Sequence, residues 1–117
     1  MFKFEKLEVW KKALKLTAEI DLLTKSFPRD ELYVLTAQMK RSADSIVLNI
    51  AEGSTGQSNA EFRQFLKYSL RSGVELVAAL YIAHERYLIP NQVLIIFKSK
   101  IEEIIRMVQG LKKSLQL

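Results

Sequence analysis

The chain has 117 residues, of which 49% are hydrophobic and 26% are charged, proportions that are typical of one globular domain and exclude wholesale disorder. It contains no cysteine, which excludes disulfides, thiolate metal sites and a cysteine nucleophile, and which fits a cytoplasmic protein. No apolar run approaches the roughly 20 residues that would span a bilayer, so we expect no membrane insertion. The net charge of +5 permits attraction to nucleic acid or anionic lipid, although no basic tail or block stands out.

Three breaks in the hydrophobic pattern divide the chain into four predicted helices. Two of the breaks contain the only prolines, Pro28 and Pro90, which do not fit inside a helix, and the third is the Gly-rich and Ser-rich stretch 53–58. The predicted helices span about 5–26, 30–53, 58–88 and 91–115. Short connections between long helices favour antiparallel neighbours. We therefore predict that residues 1–117 form a single all-α domain, an antiparallel up-down four-helix bundle.

The first two helices each carry an apolar stripe at steps of three and four residues, the spacing that aligns side chains on one helical face. In the first helix the stripe consists of Val9, Ala13, Leu16, Ile20 and Leu23. In the second helix it consists of Leu32, Leu35, Met39, Ala43, Ile46 and Ile50. Gly53 follows the second stripe, and we expect it to end that helix in a left-handed conformation.

The third helix has the best-defined start, because Ser58 and Glu61 have the spacing of a capping box. Its apolar residues cover nearly half of the helix circumference, which is too wide for one neighbour, so we expect this helix to lie deep. These residues are Phe62, Phe65, Leu66, Leu70, Leu76, Val77, Leu80, Ala83 and Tyr87. The fourth helix carries a four-three pattern that is typical of a bundle seam. Its members are Val93, Phe97, Ile101, Ile104, Val108, Leu111 and Leu115.

Residues suited to catalysis or metal binding are sparse. The only histidine, His84, falls beside apolar positions of the third helix, so we interpret it as a packed or interface residue rather than a ligand or general base. No Glu-x-x-His motif of the kind found in metal-binding bundles occurs, and the adjacent Glu102 and Glu103 are expected to be solvated. The polar stretch 53–59 lacks the lysine of a phosphate-binding loop. We therefore predict no enzymatic activity, no metal and no cofactor.

Two groups of basic residues offer a possible nucleic-acid surface. They are Arg63, Lys67 and Arg71 on the third helix, and Lys11, Lys12 and Lys15 on the first. A row of this kind is able to contact successive phosphates. The alternative is an ordinary solvated helix face, because Glu8, Glu19 and Glu75 each lie four residues from one of these bases and are placed to neutralise it.

A row of polar residues on the second helix has the same four-three spacing as a core stripe. It consists of Gln38, Ser42, Ser45, Asn49 and Glu52. Val34, Ala37 and Leu48 form a smaller apolar patch on its other side, which suggests that the helix is covered from two directions. The row is either a solvated strip or a polar seam between subunits, in which hydrogen bonds would fix the register. On the third helix, Ser69, Ser72 and Gly73 similarly permit the close approach of a neighbour.

Several blocks of the sequence resemble the bacterial four helix bundle protein family, also called the 23S ribosomal RNA intervening-sequence protein or S23 family. These blocks are FEKLEVWKKA at 4–13, FP at 27–28, LTAQMKRSADSI at 35–46, NIAEG at 49–53 and EF at 61–62. The resemblance extends from residue 4 to about residue 88. The block after residue 90 is generic and carries no functional assignment.

The resemblance implies an up-down four-helix bundle that assembles into a ring-like homopentamer. It also implies a shape related to the accessory protein of diversity-generating retroelements, which is basic, binds nucleic acid and associates with a reverse transcriptase. None of the family motif positions is catalytic; in this chain they are Trp10, Gln38, Arg41, Asn49, Glu52, Gly53, Glu61 and Phe62. The chain departs from the family at Lys40, Asp44, Val47 and Leu48, and Asp44 subtracts charge beside Arg41.

The sequence therefore leads to a functional hypothesis in which a homo-oligomeric, pentameric helical adaptor presents basic residues to RNA, to DNA or to a nucleic-acid enzyme such as a reverse transcriptase. The alternative is a structural protein-interaction module that does not bind nucleic acid. The candidate nucleic-acid contacts are Lys11, Lys12, Lys15, Lys40, Arg41, Arg63, Lys67 and Arg71. The candidate subunit contacts are Gln38, Ser42, Ser45, Asn49 and Glu52.

Overall fold

A computed structural model describes residues 1–116, and this part of the chain is helical with no β-strand. Four long helices make up the molecule: α1 (Glu8–Thr24), α2 (Ala37–Ser54), α3 (Asn59–Glu85) and α4 (Asn91–Ser114). A short 3-10 turn, Lys3–Lys6, precedes α1. A second 3-10 turn, Arg29–Glu31, and a π-helical turn, Leu32–Thr36, precede α2. The helices form the predicted four-helix bundle, which is 46 Å long and about 20 Å across.

Successive helices run antiparallel, as predicted, because each contact between neighbours joins the later part of one helix to the earlier part of the next. The contacts that define this register are Asp21 with Lys40, Gly53 with Phe65, and Tyr81 with Lys98. Lys12 pairs with Glu103 between α1 and α4 and closes the bundle. One end of the molecule therefore holds the start of α3 and the end of α4, and the opposite end holds the end of α1 and the start of α2.

The core consists of the predicted apolar stripes meeting along the bundle axis. Ala13, Ile20, Met39, Leu66 and Ile101 are among the residues whose side chains are completely buried. Burying a side chain of leucine or isoleucine size contributes about 1.5–3 kcal/mol of transfer free energy. The helix α3 packs against both α2 and α4, which accounts for its wide apolar surface.

The start of the second predicted helix differs from a regular α-helix. Leu32 was predicted to be a core residue, but it is 44% exposed, whereas Leu35 is buried. The π-helical turn Leu32–Thr36 explains the difference, because its wider turn changes the angle between residues that an α-helix would align. Leu32 therefore leaves the stripe that begins at Leu35.

The prediction that Tyr87 belongs to the core stripe of the third helix is wrong. The helix ends at Glu85, and Tyr87 has a φ of 60° and a side chain that is 95% exposed. The backbone N–H of Leu88 bonds the carbonyl oxygen of Ala83 at 2.9 Å, which is the hydrogen bond that closes a left-handed helix terminus. Ile89, in the connection, is buried in its place.

Gly53 does not have the left-handed conformation that the sequence suggested. It lies inside α2, and no glycine in the described chain has a positive φ. A β-carbon at this position would lie 2.6 Å from the β-carbon of Phe65. Gly53 is therefore required for close contact between α2 and α3 rather than for a turn.

The predicted capping box at the start of α3 is half formed. The hydroxyl oxygen of Ser58 accepts a hydrogen bond of 3.1 Å from the backbone N–H of Glu61. The Glu61 carboxylate lies instead beside Gly56, where a β-carbon would approach its oxygen to 2.7 Å. One of the two expected caps therefore fixes the first turn of α3.

Candidate nucleic-acid interface

The basic residues of α1 are largely neutralised by carboxylates. Lys11 pairs with Glu8 at 3.2 Å, and Lys12 pairs with Glu103 of α4 at 2.9 Å. Lys15 is exposed, but it borders a groove that also contains the ion pair between Glu19 and Lys100. Neither Lys12 nor Lys15 pairs with its predicted partner. Glu103 of α4 binds Lys12 in place of Glu8, and Lys100 of α4 binds Glu19, the predicted partner of Lys15.

The Lys12–Glu103 pair affects the protonation of both groups. The hydrogen bond and the attraction to Glu103 raise the pKa of Lys12, and the same contacts with Lys12 lower the pKa of Glu103. Both side chains stay charged at neutral pH, and each satisfies the other. An ion pair of this kind has little net charge to offer to a phosphate group.

The two candidates on α2 are placed differently from each other. Lys40 bonds Asp21 of α1 at 2.9 Å and so links two helices. Arg41 is exposed and forms no ion pair within residues 1–116, but it shares the outer surface of α2 with exposed Asp44. Helix α2 therefore provides one available cation beside one carboxylate.

The three candidates on α3 are Arg63, Lys67 and Arg71. Lys67 and Arg71 are exposed, and the predicted pairing of Arg71 with Glu75 does not form. Arg63 is half-buried, and its Nη1 donates a hydrogen bond of 2.7 Å to the carbonyl oxygen of Leu115 at the end of α4. This contact shows that the start of α3 and the end of α4 lie side by side.

That contact brings together two stretches of sequence that contain no Asp or Glu, residues 62–74 of α3 and 104–116 of α4. Gly73 contacts Ile105 further along the same pair of helices, so the stretches stay adjacent throughout. Together they carry six basic side chains, and we call this surface the basic face. Its members are Arg63, Lys67, Arg71, Arg106, Lys112 and Lys113.

Half of the basic face was missed from the sequence. Arg106, Lys112 and Lys113 are not among the candidate contacts that the sequence suggested. The two stretches are separated by about 30 residues, and each is an ordinary helix surface by itself. The sequence does contain a signal for this surface. Two stretches of similar length lack carboxylates, and they fall in the third and fourth helices, which an up-down bundle places side by side.

The polar row of α2 lies along the junction between α2 and α3 of the same chain. The hydroxyl of Ser72 donates to the hydroxyl of Ser45 at 2.8 Å, and Ser45 also accepts from the amide of Asn49 at 2.9 Å. The hydroxyl of Ser69 donates to the carbonyl oxygen of Ile46 at 3.0 Å. At these positions the hydrogen bonds hold two helices of one chain in register.

The remaining members of the row differ in exposure. Ser42 is 2% exposed, and its hydroxyl is buried without a partner in the described chain. Gln38 is half-buried and Glu52 is exposed. On the other side of the row, Val34 is 58% exposed and Leu48 is 63% exposed. The small apolar patch seen in the sequence therefore stays open to solvent in the single chain.

Several family motif positions have a packing role. Gly53 permits contact with Phe65, Phe62 is buried, and Asn49 bonds Ser45. The indole of Trp10 packs against the ring of Phe4 with centroids 4.8 Å apart, which holds the N-terminal turn against α1. These positions therefore contribute to the packing of the bundle.

No group of three or more His, Asp or Glu side chains in residues 1–116 is placed to hold a metal ion. His84 is half-buried in the last turn of α3. None of the helices in that same part of the chain is long and apolar enough to cross a membrane.

The fold and the surface define an all-helical, antiparallel four-helix bundle protein with a basic face on α3 and α4. Residues 5–110 match the family described as 23S rRNA-intervening sequence protein, and the chain belongs to that family. A crystal structure of a protein with unknown function from the S23 ribosomal protein family of Bacteroides thetaiotaomicron has the same fold, with a TM-score of 0.82. The two sequences are 24% identical over 90% of this chain and 95% of the other. No curated protein matches the chain.

Proposed function

We propose that this protein is a non-catalytic adaptor that binds RNA or DNA through the basic face of α3 and α4. The observation that supports the proposal most directly is the pairing of two carboxylate-free helix segments that together carry six basic side chains. Elsewhere on the bundle, lysines such as Lys12, Lys40 and Lys100 are matched with carboxylates. The six side chains of the basic face, in contrast, have no carboxylate within their own stretches of sequence to offset them.

The geometry of the basic face suits phosphate groups rather than base edges. Residues four apart on a helix are separated by about 6 Å along its axis, so Lys67 and Arg71 form a short ladder on α3. Lys112 and Lys113 extend the positive surface onto the adjacent helix. Contacts of this kind position a nucleic acid without reading its sequence, and their strength depends on salt.

The test is a pair of double variants that remove the same number of charges from two different faces. Lys67→Gln with Arg71→Gln removes two members of the basic face. Lys11→Gln with Lys12→Gln removes two lysines that are paired with carboxylates in α1 and α4. Arg63 is left intact in both, because its hydrogen bond to Leu115 gives it a structural role.

Binding to labelled RNA and DNA duplexes is measured by fluorescence anisotropy at several salt concentrations. We expect the α3 variant to bind more weakly and its salt dependence, the slope of log K against log salt, to become smaller in magnitude by about two, roughly one for each phosphate group that is no longer neutralised. The α1 variant should keep its affinity and slope. Equal weakening in the two variants, or no binding by the unmodified protein, would refute the proposal and favour a protein-interaction module.

We also propose that copies of the chain associate through the outer surface of α2, in keeping with the pentamer that the family resemblance implies. The support is the open apolar patch of Val34 and Leu48 beside the polar row. Leu48→Glu should reduce the mass measured by light scattering, whereas Leu22→Glu, which changes a leucine on α1 that is 71% exposed, should not. A monomeric unmodified protein would contradict this assembly.

A further inference from the structure

A cavity of about 230 Å³ lies at the opposite end of the bundle from the basic face. It is bordered by the last turn of α1, the 3-10 turn Arg29–Glu31, the π-helical turn and the first turn of α2. Phe27, Pro28 and Leu32 form its apolar wall, and charged and hydroxyl side chains form the rest. The cavity therefore combines an apolar surface with a small number of polar groups, as ligand sites in proteins commonly do.

The charges around the cavity favour an anion. Asp21 accepts from Lys25 at 2.8 Å and from Lys40 at 2.9 Å, and its carboxylate therefore holds two ammonium groups at the cavity. These contacts lower the pKa of Asp21 to about 2, so its charge is constant at neutral pH. Arg29 also lines the cavity and forms no ion pair within the described part of the chain. One carboxylate and three cations leave a net charge of +2.

Two buried threonines line the cavity, and only one of them is committed to the backbone. Thr24 donates its hydroxyl to the carbonyl oxygen of Ile20 at 3.0 Å, which is the usual partner of a threonine inside an α-helix. Thr36, at the end of the π-helical turn, is 6% exposed, and its hydroxyl makes no hydrogen bond to residues 1–116. The altered turn therefore leaves a buried hydroxyl available at the cavity wall.

We infer that this cavity is a binding site for a phosphate monoester. The net charge of +2 matches the charge of a phosphate monoester near neutral pH, which is about −1.5 to −2. Arg29 provides charge-assisted hydrogen bonds, and Thr36 adds a neutral donor. Lys25 and Lys40 share the single carboxylate of Asp21, so together they leave one further unit of positive charge at the cavity. Phe27 and Leu32 provide an apolar contact for the organic part of the ester. The site does not depend on nucleic-acid binding by the basic face, which lies at the other end of the bundle.

The experiment is a titration of the full-length, ¹⁵N-labelled protein with uridine 5′-monophosphate, followed by NMR. We expect saturable shifts in the backbone amide signals of Lys25, Thr36 and Lys40, with smaller shifts for inorganic phosphate, which lacks the apolar part. The double variant Arg29→Gln with Thr36→Val removes one cation and one donor while keeping the shape of the cavity wall. It should weaken binding by about tenfold or more.

Arg41→Gln serves as the matched control, because it removes one exposed arginine next to Lys40 without changing the cavity lining. It should leave the affinity within about twofold. A short single-stranded DNA with and without a 5′-phosphate then distinguishes a nucleic-acid end from a small phosphate ester as the source of the group. Three results would overturn the inference. They are shifts that do not saturate, shifts confined to the basic face, and equal weakening of binding by the double variant and by Arg41→Gln.

Discussion

Arg63 on α3 donates a hydrogen bond of 2.7 Å to the backbone carbonyl oxygen of Leu115, which lies 52 residues later in the chain. Leu115 caps the end of α4, where the last carbonyl oxygens of a helix lack partners within the helix. The arginine therefore both satisfies one of these oxygens and places a positive charge at the negative end of the helix dipole. Arg63 has a structural role that distinguishes it from Lys67, the next basic residue on the same helix.

This difference predicts unequal effects on stability. We expect Arg63→Gln to lower the free energy of unfolding by about 1 kcal/mol, because a long-range hydrogen bond from a charged donor is removed. Lys67→Gln should change it by less than about 0.5 kcal/mol, as exposed substitutions generally do. Urea denaturation measures both values. Hydrogen exchange at residues 112–116 should accelerate only in the Arg63 variant, and equal exchange in the two variants would contradict the capping role.

The sequence was sufficient to predict the bundle because its signals are local. The stripes that contain Ile20 and Ile101 follow helical spacing, and Pro28 and Pro90 mark two of the connections. The helix ends were harder to predict, because they depend on contacts between segments. Tyr87 continues the apolar pattern, and only the folded turn shows that its backbone has already left the helix.

The candidate nucleic-acid interface was predictable only in part, because it also depends on contacts between segments that are distant in sequence. Charge neutralisation depends on which side chains meet across helices, and the sequence shows only partners on the same helix. The pairing of Lys12 with Glu103, a residue of the last helix, replaced the predicted partner Glu8. The basic face likewise required the register of α3 against α4, which Arg63 and Gly73 define in the structure.

Gly53 and Gly110 both lie within helices, but we predict that alanine has opposite effects at the two positions. A β-carbon at Gly53 would lie 2.6 Å from the β-carbon of Phe65, so Gly53→Ala must push α3 away and should cost about 1–3 kcal/mol. Gly110 is exposed with no atom within 4 Å of an added β-carbon, so Gly110→Ala should stabilise the protein by about 0.5–1 kcal/mol through its better helix propensity.

Thermal and urea unfolding of the two glycine variants provide the comparison, with the unmodified protein measured in parallel. A Gly53→Ala variant as stable as the unmodified protein would show that α2 and α3 separate easily at this point. That result would contradict the interpretation of Gly53 as a close-contact residue, whatever the outcome at Gly110.

Tyr87 carries a backbone strain that glycine should relieve. A residue with a β-carbon in the left-handed region costs roughly 1–2 kcal/mol, and the exposed ring of Tyr87 makes no buried contact that would offset this cost. We expect Tyr87→Gly to raise the free energy of unfolding by about 1 kcal/mol. Tyr33, which is 88% exposed within the π-helical turn, is the control, and Tyr33→Gly should lower it. Destabilisation by Tyr87→Gly would mean that the tyrosine side chain contributes contacts of its own.

Asp21 should make the stability of the bundle depend on pH in acid. Hydrogen bonds from Lys25 and Lys40, together with their charges, lower its pKa from 3.8 to about 2 in the folded protein. A group whose pKa is depressed by folding stabilises the protein above its unfolded pKa, and this contribution disappears as the pH falls through the folded pKa. The unmodified protein should have a larger free energy of unfolding than Asp21→Asn, and we call this difference its stability advantage. The advantage should be constant from about pH 7 to about pH 5 and should vanish between about pH 4 and about pH 2.

Urea midpoints of the two proteins across this pH range measure the advantage, and NMR titration of the Asp21 carboxyl measures the pKa directly. The double variant Lys25→Gln with Lys40→Gln should return the pKa of Asp21 towards its ordinary value, because both donors are gone. High salt should shrink the advantage at neutral pH, since the carboxylate is 44% exposed and its ion pairs are screened. An advantage that persists undiminished at about pH 2 would show that Asp21 stabilises the bundle through packing rather than through its charge.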